Sequence, residues 1–542
     1  MTQATDLADE YFAYRQATEP HRLLYSGQLD GLANWEDLRS PAITERQESL
    51  RRFAARADAV ALDASDDDRI LLETVAFTAN AAASGLTWRN EQTHVNPAFG
   101  VHTRLATFLG RFALSTAAHG DDYLRKLERL PTMLEQLEEE ITTSAADGNV
   151  ALARHLSASA DAVEALVAAD EQPLASQAAP TALSPADANA WRAEVDRIVS
   201  DRVLPALVDY GAALRELSSR GRSDAQAGIC HLAGGDELYA ELVWASTSLE
   251  LTPEEIHEIG VDQIERLEAE YVEVAGPLVG ATDISDIYAH LRDDGSMKYE
   301  SGDDIVRDAA AALDRARAAA PGWFSSIPVS DCLANKVPTG PLAFYSAPDP
   351  DTGKPANFFF NTADPSAWST YQLEAVTFHE SIPGHHLQIG GFRESTTLHP
   401  VQTQFGITAY LEGWGLYTER LADEMGLYSS ELSRVGMLSA DSMRACRLVV
   451  DTGMHALGWS RAEAIDYVER HSPLSSTQIE GEIDRYIGMP GQALSYMIGR
   501  LEIDSIRAAA EASDSFEIAA FHDQVLGYGM VPLPTLRRIV AA

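Results

Sequence analysis

The 542-residue chain is poor in cysteine and in long apolar runs. Its three cysteines, Cys230, Cys332 and Cys446, are far apart and contain no C-x-x-C pair, which argues against a disulfide framework and against a thiolate zinc site. We therefore expect a reducing, cytoplasmic location. No segment approaches the ~20 consecutive apolar residues that cross a bilayer. Met1–Thr18 has no basic segment followed by an apolar one, so we expect no secretory signal.

Positive charge is also scarce. Four lysines and 37 arginines stand against 82 acidic side chains, which gives a formal net charge of −41. A field this negative disfavours nucleic acid and anionic lipid as partners. Hydrophobic residues make up 45% of the chain, enough for a large packed core, so disorder of the whole chain is excluded.

Helix-forming residues dominate, and apolar positions recur at three- and four-residue spacing. We predict a mainly α protein, organised as a single domain over residues 1–542. Leu124–Ile141 is one such apolar stripe, with acids just before it at 121 and 122; Pro131 predicts either two helices that meet there or one kinked helix. The sequence Thr252-Pro253-Glu254-Glu255 predicts a helix start, and this helix should end near Val274.

The helical signal is weakest between residues 321 and 365, where prolines are frequent. The aromatic run Asn357–Asn361 is bounded by turn residues and predicts a short β-strand, with a turn at residues 350–353 before it.

The most informative segment is His379-Glu380-Ser381-Ile382-Pro383-Gly384-His385-His386. Three imidazoles and a carboxylate within eight residues are the groups that bind zinc and activate water. The segment differs from the helical motif H-E-x-x-H because Pro383 occupies the i+4 position and cannot donate to the carbonyl of His379. The helix should therefore bulge or kink between His379 and His385.

Two histidines compete for the place of the second zinc ligand. In a regular helix His386 shares the face of His379 but lies about 10 Å further along the axis, a long span for one ion. A two-residue bulge at Ile382-Pro383 instead brings His385 to the usual position. We favour His379 and His385 as zinc ligands and keep His386 as the rival.

Glu412 is the predicted third ligand, because a zinc site of this type needs one more protein ligand and an open position for water. Glu412 lies in the apolar and aromatic stretch Tyr410–Tyr417, where burying an unpaired carboxylate is costly. A structural salt bridge is the alternative. Glu419 and Glu424 are predicted to be surface acids.

Two further segments are predicted to form walls of the site. One helix face contains Arg447, Asp451 and His455, which are spaced by four residues. This pattern is typical of a helix that lines a cleft. It equally fits an internal Arg–Asp pair beside a histidine whose hydrogen bonds are satisfied. A second wall supplies candidate substrate contacts, for which ordinary packing is the alternative: Arg485, Tyr486 and Tyr496.

Four segments, in their order and spacing, resemble the bacterial domain-of-unknown-function 885 family: residues 379–388, 410–417, 447–455 and 485–496. That family is similar in architecture to zinc carboxypeptidases of the Taq type, which are large, nearly all-helical and grooved. The resemblance implies a large helical metallopeptidase-like body with a groove and a small β element near the metal-binding helix.

The resemblance also implies roles for individual residues. His379 and Glu380 match the opening pair of the zinc motif of those enzymes. His385 would take the place of the second histidine, and Glu412 that of the downstream glutamate. The two-residue insertion that contains Pro383 is a departure from the motif.

We therefore predict a zinc-dependent peptidase for short peptides, of carboxypeptidase or dipeptidase type, with its catalytic motifs within residues 357–500. Glu380 would take the proton from zinc-bound water, and His455 or a tyrosine such as Tyr496 would stabilise the oxyanion. The strand at Phe358–Asn361 would pair with the substrate backbone. A terminal carboxylate would bind one of three arginines: Arg444, Arg447 or Arg485.

Two alternatives stay open at this point. The same residues would serve a metal hydrolase of non-peptide amides, and a helical binding protein with a vestigial site would contain them without activity. The expected partners are a short peptide or small amide and Zn²⁺, with neither nucleic acid nor membrane. A homodimer is compatible with the sequence, which contains nothing that specifies an oligomeric state.

Overall fold

The computed structural model describes residues 2–20, 29, 31–87, 95–97, 100–109, 112–338, 342–348 and 353–541. Helices dominate this part of the chain, which confirms the prediction of a mainly α protein. Before the sheet, the helices are α1 Gln3–Thr18, α2 Ser40–Ala61, α3 Asp66–Thr87, α4 Val101–Phe108, α5 Ala117–Ala146, α6 Ala153–Val167, α7 Pro185–Ile198, α8 Leu204–Ser218, α9 Gly235–Thr247, α10 Pro253–Val274, α11 Gly276–Val279, α12 Ile284–Asp293 and α13 Gly302–Ala319.

The helices that follow the sheet contain the predicted zinc motif and both predicted walls of the site. They are α14 Leu373–Glu380, α15 His385–Glu394, α16 Pro400–Gln404, α17 Thr408–Glu424, α18 Glu431–His455, α19 Arg461–His471, α20 Ser476–Ile487, α21 Ser495–Glu511, α22 Ile518–Leu526 and α23 Leu533–Ala541.

Local sequence signals determine some of these helix boundaries. The Thr252 hydroxyl accepts a hydrogen bond from the backbone N–H of Glu255, and the Glu255 carboxylate accepts one from the N–H of Thr252, so the predicted start of α10 is confirmed. α5 begins earlier than predicted, because Thr116 caps it, and it continues through Pro131 as one helix. Packing of its apolar face maintains this helix although proline removes one backbone hydrogen bond.

A three-stranded sheet precedes the zinc motif. β1 Cys332–Val337 pairs in parallel with β3 Ala356–Asn361, and β2 Ala343–Ser346 pairs antiparallel with the other edge of β3. The predicted strand is confirmed; Gly353 has positive φ, and the rest of the predicted turn lies outside the described residues. Because both edges of β3 are occupied, the prediction that this strand pairs with a substrate backbone is wrong. Among the described residues, β1 and β2 are the edge strands of this sheet.

The helices that bear the predicted ligands pack closely together. α14 lies against α13, α17 and α18, and α17 crosses α21. At this crossing Gly413 and Gly499 touch, since a Cβ on Gly413 would lie 2.5 Å from the carbonyl carbon of Gly499. Glycine at both positions allows the close approach of the two backbones that brings Glu412 and Tyr496 to the same site.

α3 is long and apolar enough to cross a membrane by length and composition alone. In the structure 61% of its apolar window is buried, and it packs against α1, α2 and α9. A core helix passes the same test, so α3 is weak evidence for a membrane span.

Candidate metal site

The predicted interruption of the zinc motif is confirmed. α14 ends at Glu380, and α15 begins at His385 after a break that contains the cis peptide Ile382–Pro383. Gly384 fits this break because a Cβ there would lie 1.9 Å from the carbonyl oxygen of His379. The imidazole of His385 lies beside that of His379, with 4.8 Å between the ring centroids.

Three potential metal ligands converge at the break. The Nε2 atoms of His379 and His385 lie 3.5 and 3.6 Å from Oε2 of Glu412, and one ligand atom from each residue lies within 4.8 Å of the others. Zinc with four tetrahedral bonds of about 2.1 Å separates its ligands by about 3.4 Å. The donor types and their spacing therefore fit zinc, and three protein ligands leave the fourth position to water or substrate.

His386, the rival ligand, makes other contacts. Its Nδ1 lies 3.1 Å from the hydroxyl of Tyr345, and its Nε2 lies 3.0 Å from the carbonyl oxygen of Ser330. Burial lowers the pKa of His386 to about 4, so the ring is neutral at pH 7. A neutral ring that donates to Ser330 accepts from Tyr345, and both ring nitrogens are then used.

The ion-pair geometry shifts the pKa values of the cluster in opposite directions. Burial lowers the pKa of His379, but hydrogen bonds to Glu412 and Glu419 outweigh burial and raise it to about 9. Burial raises the pKa of Glu412, but His379 and His385 outweigh it and hold that pKa well below its usual range. Without metal, the cluster therefore holds a negative Glu412 next to a protonated imidazole.

Glu419 is a functional candidate that the sequence analysis assigned wrongly. It is not a surface acid: its side chain is 1% exposed, and its Oε1 lies 2.8 Å from Nδ1 of His379. The available signal was its spacing, since Glu419 follows Glu412 by seven residues, or two turns, and so lies on the same face of α17. Glu424, by contrast, is exposed and pairs with Arg507.

Glu380, the predicted base, is the last residue of α14 and is half-buried. Within the described part of the chain its carboxylate makes no hydrogen bond or ion pair, so its oxygens are free to accept a proton. Burial is the main reason why the pKa values of Cys332 and Tyr345 are raised, and the charge of Glu380 contributes. The charge of Glu380 therefore acts on both the ligand cluster and side chains of the sheet.

Tyr496, the predicted second-wall tyrosine, lies next to the ligands. Its ring is nearly parallel to that of His379, with centroids 6.5 Å apart, and the guanidinium carbons of Arg447 and Arg444 lie 4.4 and 5.7 Å from its ring centroid. The two arginines are three residues apart on α18 and cover the same ring. The structure thus brings Tyr496, Arg444 and Arg447 to one side of the cluster.

Arg485 and Tyr486 are engaged within the protein, which differs from their predicted role in substrate contact. Both bind Glu482: Nη2 of Arg485 lies 3.0 Å from the carboxylate, and the Tyr486 hydroxyl donates to it at 2.5 Å. Arg447 also donates to Glu482, at 2.9 Å. Glu482 was not among the predicted site residues, although it precedes Arg485 and Tyr486 by three and four residues, the spacing of side chains on one helix face.

His455 is not available as an oxyanion donor, which corrects the sequence-based prediction. It is fully buried, its Nδ1 accepts from the backbone N–H of Ile229, and its Nε2 lies 3.1 Å from the carbonyl oxygen of Tyr486. Burial lowers its pKa to about 3, so it stays neutral. Asp451, on the same helix face, accepts from Tyr239 and from the N–H of Gly491 rather than pairing with Arg447.

Gly415 allows the ring of His379 to lie against α17, because a Cβ at this position would be 2.6 Å from Cε1 of that ring. We expect Gly415→Ala to lower the free energy of unfolding by about 1–3 kcal/mol through overpacking, and to weaken zinc binding by displacing His379. Urea unfolding followed by circular dichroism measures the first effect.

Gly391→Ala is the matched control, since this helical glycine in α15 has open space at its Cβ. The control should be stabilised by up to about 1 kcal/mol, because alanine has the higher helix propensity. Equal effects of the two substitutions would contradict the steric role of Gly415.

Solved structures show where the fold recurs. A Colwellia psychrerythraea protein described as a candidate lipoprotein is 24% identical, with a TM-score of 0.90 over 100% of this chain and 99% of that chain. A Shewanella oneidensis protein, described as a candidate lipoprotein of unknown function, is 18% identical, with a TM-score of 0.77 over 100% of both chains. At these identities the likeness shows a shared fold and no more.

Two further comparisons concern the family. No match was found among curated proteins. The likeness to Taq-type zinc carboxypeptidases stays a prediction. The model of the family described as bacterial protein of unknown function (DUF885) matches residues 20–540, nearly the whole chain. The resemblance inferred from the motifs is therefore confirmed, and the chain belongs to the DUF885 family.

Proposed function

We propose that the protein is a zinc-dependent hydrolase that cleaves peptide bonds in short peptides. The observation that carries the proposal is the convergence of His379, His385 and Glu412, three donors of the types and spacing that zinc prefers, beside the free carboxylate of Glu380. Bound zinc would supply a Lewis acid that lowers the pKa of water and polarises the substrate carbonyl.

Glu380 is the proposed general base. It adjoins His379 in sequence, and no group in the described residues competes for its oxygens. It would accept a proton from the attacking water and deliver it to the leaving amine.

Tyr496 replaces His455 as the proposed oxyanion donor. Its hydroxyl makes no hydrogen bond within the described residues, and its ring flanks His379. Burial is the main cause that raises the pKa of Tyr496, so its hydroxyl keeps its proton at neutral pH and can donate to the developing negative charge.

The proposed substrate is a peptide with a free terminal carboxylate, as carboxypeptidase or dipeptidase action requires. Arg485 donates to Glu482 and Gln492, and Arg447 donates to Glu482 and Tyr486, but Nη1 of Arg447 and Nε of Arg444 are buried without a hydrogen-bond partner in the described part of the chain. Arg444 and Arg447 are therefore favoured over Arg485 for the carboxylate. For backbone pairing, β2 is favoured over β3, because β2 is an edge strand whose Tyr345 contacts His386.

Protein purified without chelator is expected to contain about one zinc ion per chain and to hydrolyse N-acylated dipeptides that end in a free acid. Elemental analysis and amine release measure the two properties. A chelator should abolish the activity, and added zinc should restore it. Amidation of the substrate's carboxylate should lower kcat/KM about 10- to 100-fold, because a charge-assisted hydrogen bond contributes about 1.5–3 kcal/mol.

Arg447→Lys should weaken the preference for a substrate with a free carboxylate. Arg434→Lys is the matched control and should keep that preference, since Arg434 lies on the same helix and pairs with Asp423. If the purified protein takes up no zinc, the result would support the alternative of a helical binding protein with a vestigial site. Zinc-loaded protein that cleaves only non-peptide amides would favour the other alternative.

A further inference from the structure

Glu419 has an environment that packing alone does not explain. It is a carboxylate with 1% side-chain exposure in a protein whose other acids largely face solvent. Oε1 contacts Nδ1 of His379, and Oε2 is buried without a hydrogen-bond partner in the described residues. Burying a carboxylate is costly unless it is fully paired and hydrogen-bonded, so its presence here calls for a charge that compensates it.

Besides His379, the neighbouring groups do little to pair this charge. The nearest arginine nitrogen, Nη2 of Arg444, lies 3.8 Å from Oε1, at the limit of an ion pair. The hydroxyl of Tyr428 donates to the backbone carbonyl of Glu419 and not to its carboxylate. A cation on Nε2 of His379 would replace the proton that this ring carries without metal, and the carboxylates of Glu412 and Glu419 would then balance a divalent charge.

The contact with Glu419 also determines how His379 faces the cluster. A carboxylate oxygen accepts a hydrogen bond, so it selects the imidazole tautomer that has its hydrogen on Nδ1 and its lone pair on Nε2. Nε2 is the atom that lies 3.5 Å from Glu412. The same ring packs closely against Gly415 of α17. His385, in contrast, has a buried Nδ1 without a partner in the described residues.

We infer that Glu419 is a positioning residue for metal binding: it orients His379 and increases the electron density on Nε2, while its buried charge complements the cation. This inference rests on the proposed metal site. Orienting His379 is a role that neither the three ligands nor the base supplies. Glu419 is therefore a determinant of zinc affinity rather than of fold stability.

The test is zinc titration of the metal-free full-length protein against a competing indicator, at a temperature where circular dichroism shows every variant to be folded. Glu419→Gln retains the shape and one acceptor oxygen but removes the charge, and we expect its zinc affinity to fall about 10- to 100-fold. Glu419→Asp, which restores the charge at a greater distance, should recover part of that loss.

Glu424→Gln is the matched control, because Glu424 lies on the same helix five residues later and is exposed. Its zinc affinity should equal that of the unaltered protein. Weaker zinc binding by Glu419→Gln supports the inference even if no peptide is hydrolysed, in which case only the proposed reaction fails. Unchanged affinity in Glu419→Gln overturns the inference and leaves the metal site standing. An unaltered protein that binds no zinc overturns both.

Discussion

The Glu380→Gln variant is expected to bind zinc as the unaltered protein does and to hydrolyse peptides about 10²–10⁴ times more slowly. Glutamine has nearly the same shape as glutamate but cannot accept the proton of an attacking water. Because Glu380 makes no hydrogen bond or ion pair within the described residues, the substitution leaves no other contact broken. Elemental analysis of the purified variant and kcat with an N-acylated dipeptide measure the two quantities.

Glu380→Asp provides the internal comparison, since it keeps the carboxylate but withdraws it by one methylene. Its kcat should lie between those of the unaltered protein and Glu380→Gln. Turnover of Glu380→Gln at the rate of the unaltered protein would remove Glu380 as the base, whatever its zinc content.

The substitution His385→Ala should abolish stoichiometric zinc binding, whereas His386→Ala should retain it. His385 contributes Nε2 to the cluster, 3.6 Å from Glu412, and a site with only two protein ligands binds zinc much more weakly. His386 is held by Tyr345 and Ser330 instead, so its loss removes two buried hydrogen bonds and lowers the free energy of unfolding by about 1–3 kcal/mol. Metal content after dialysis and urea unfolding separate the two effects.

His379→Ala is the positive control for loss of a ligand, and its zinc content should match that of His385→Ala. If His386→Ala lost the metal while His385→Ala retained it, the ligand assignment would be wrong. The break at Ile382-Pro383 would then not be what brings the second ligand to the metal.

Features that depend on neighbours in the chain were predictable from the sequence. The capping residues around Thr252, the aromatic strand before the motif and the interruption at Pro383 all follow from backbone hydrogen bonding and proline geometry within a few residues. The same reasoning indicated His385 rather than His386, because only a bulge reconciles the spacing with two ligands of one ion.

Residues whose role depends on distant contacts were assigned wrongly. From the sequence, a histidine on a polar helix face is expected to be free to bind substrate. His455 instead makes hydrogen bonds with the N–H of Ile229 and the carbonyl of Tyr486, which come from other parts of the chain. Glu419 was predicted to be a surface acid, because the packing of α14 against α17 that buries it is not visible in the local sequence. The strand β3 looked free because its two partners cannot be read from its own residues.

The scarcity of cysteine and of positive charge bears on what remains to be tested. The three cysteines are free thiols in the structure. The expected cytoplasmic location, the single-domain organisation and the absence of nucleic-acid and membrane partners stay predictions. Composition does not locate charge. The few arginines near the ligands gather around Tyr496 and Glu482, a grouping that no count of residues contains.

The sequence by itself determined the helical class, the place of the sheet, the break in the motif and the set of residues able to bind zinc, because these follow from local geometry and side-chain chemistry. Only the tertiary structure brought His379, His385 and Glu412 within a few ångströms of one another, buried Glu419 behind His379 and engaged His455 in contacts elsewhere. The physical reason is that ligand spacing of a few ångströms arises from contacts between helices, such as that of Gly415 with His379, whose partners lie dozens of residues apart.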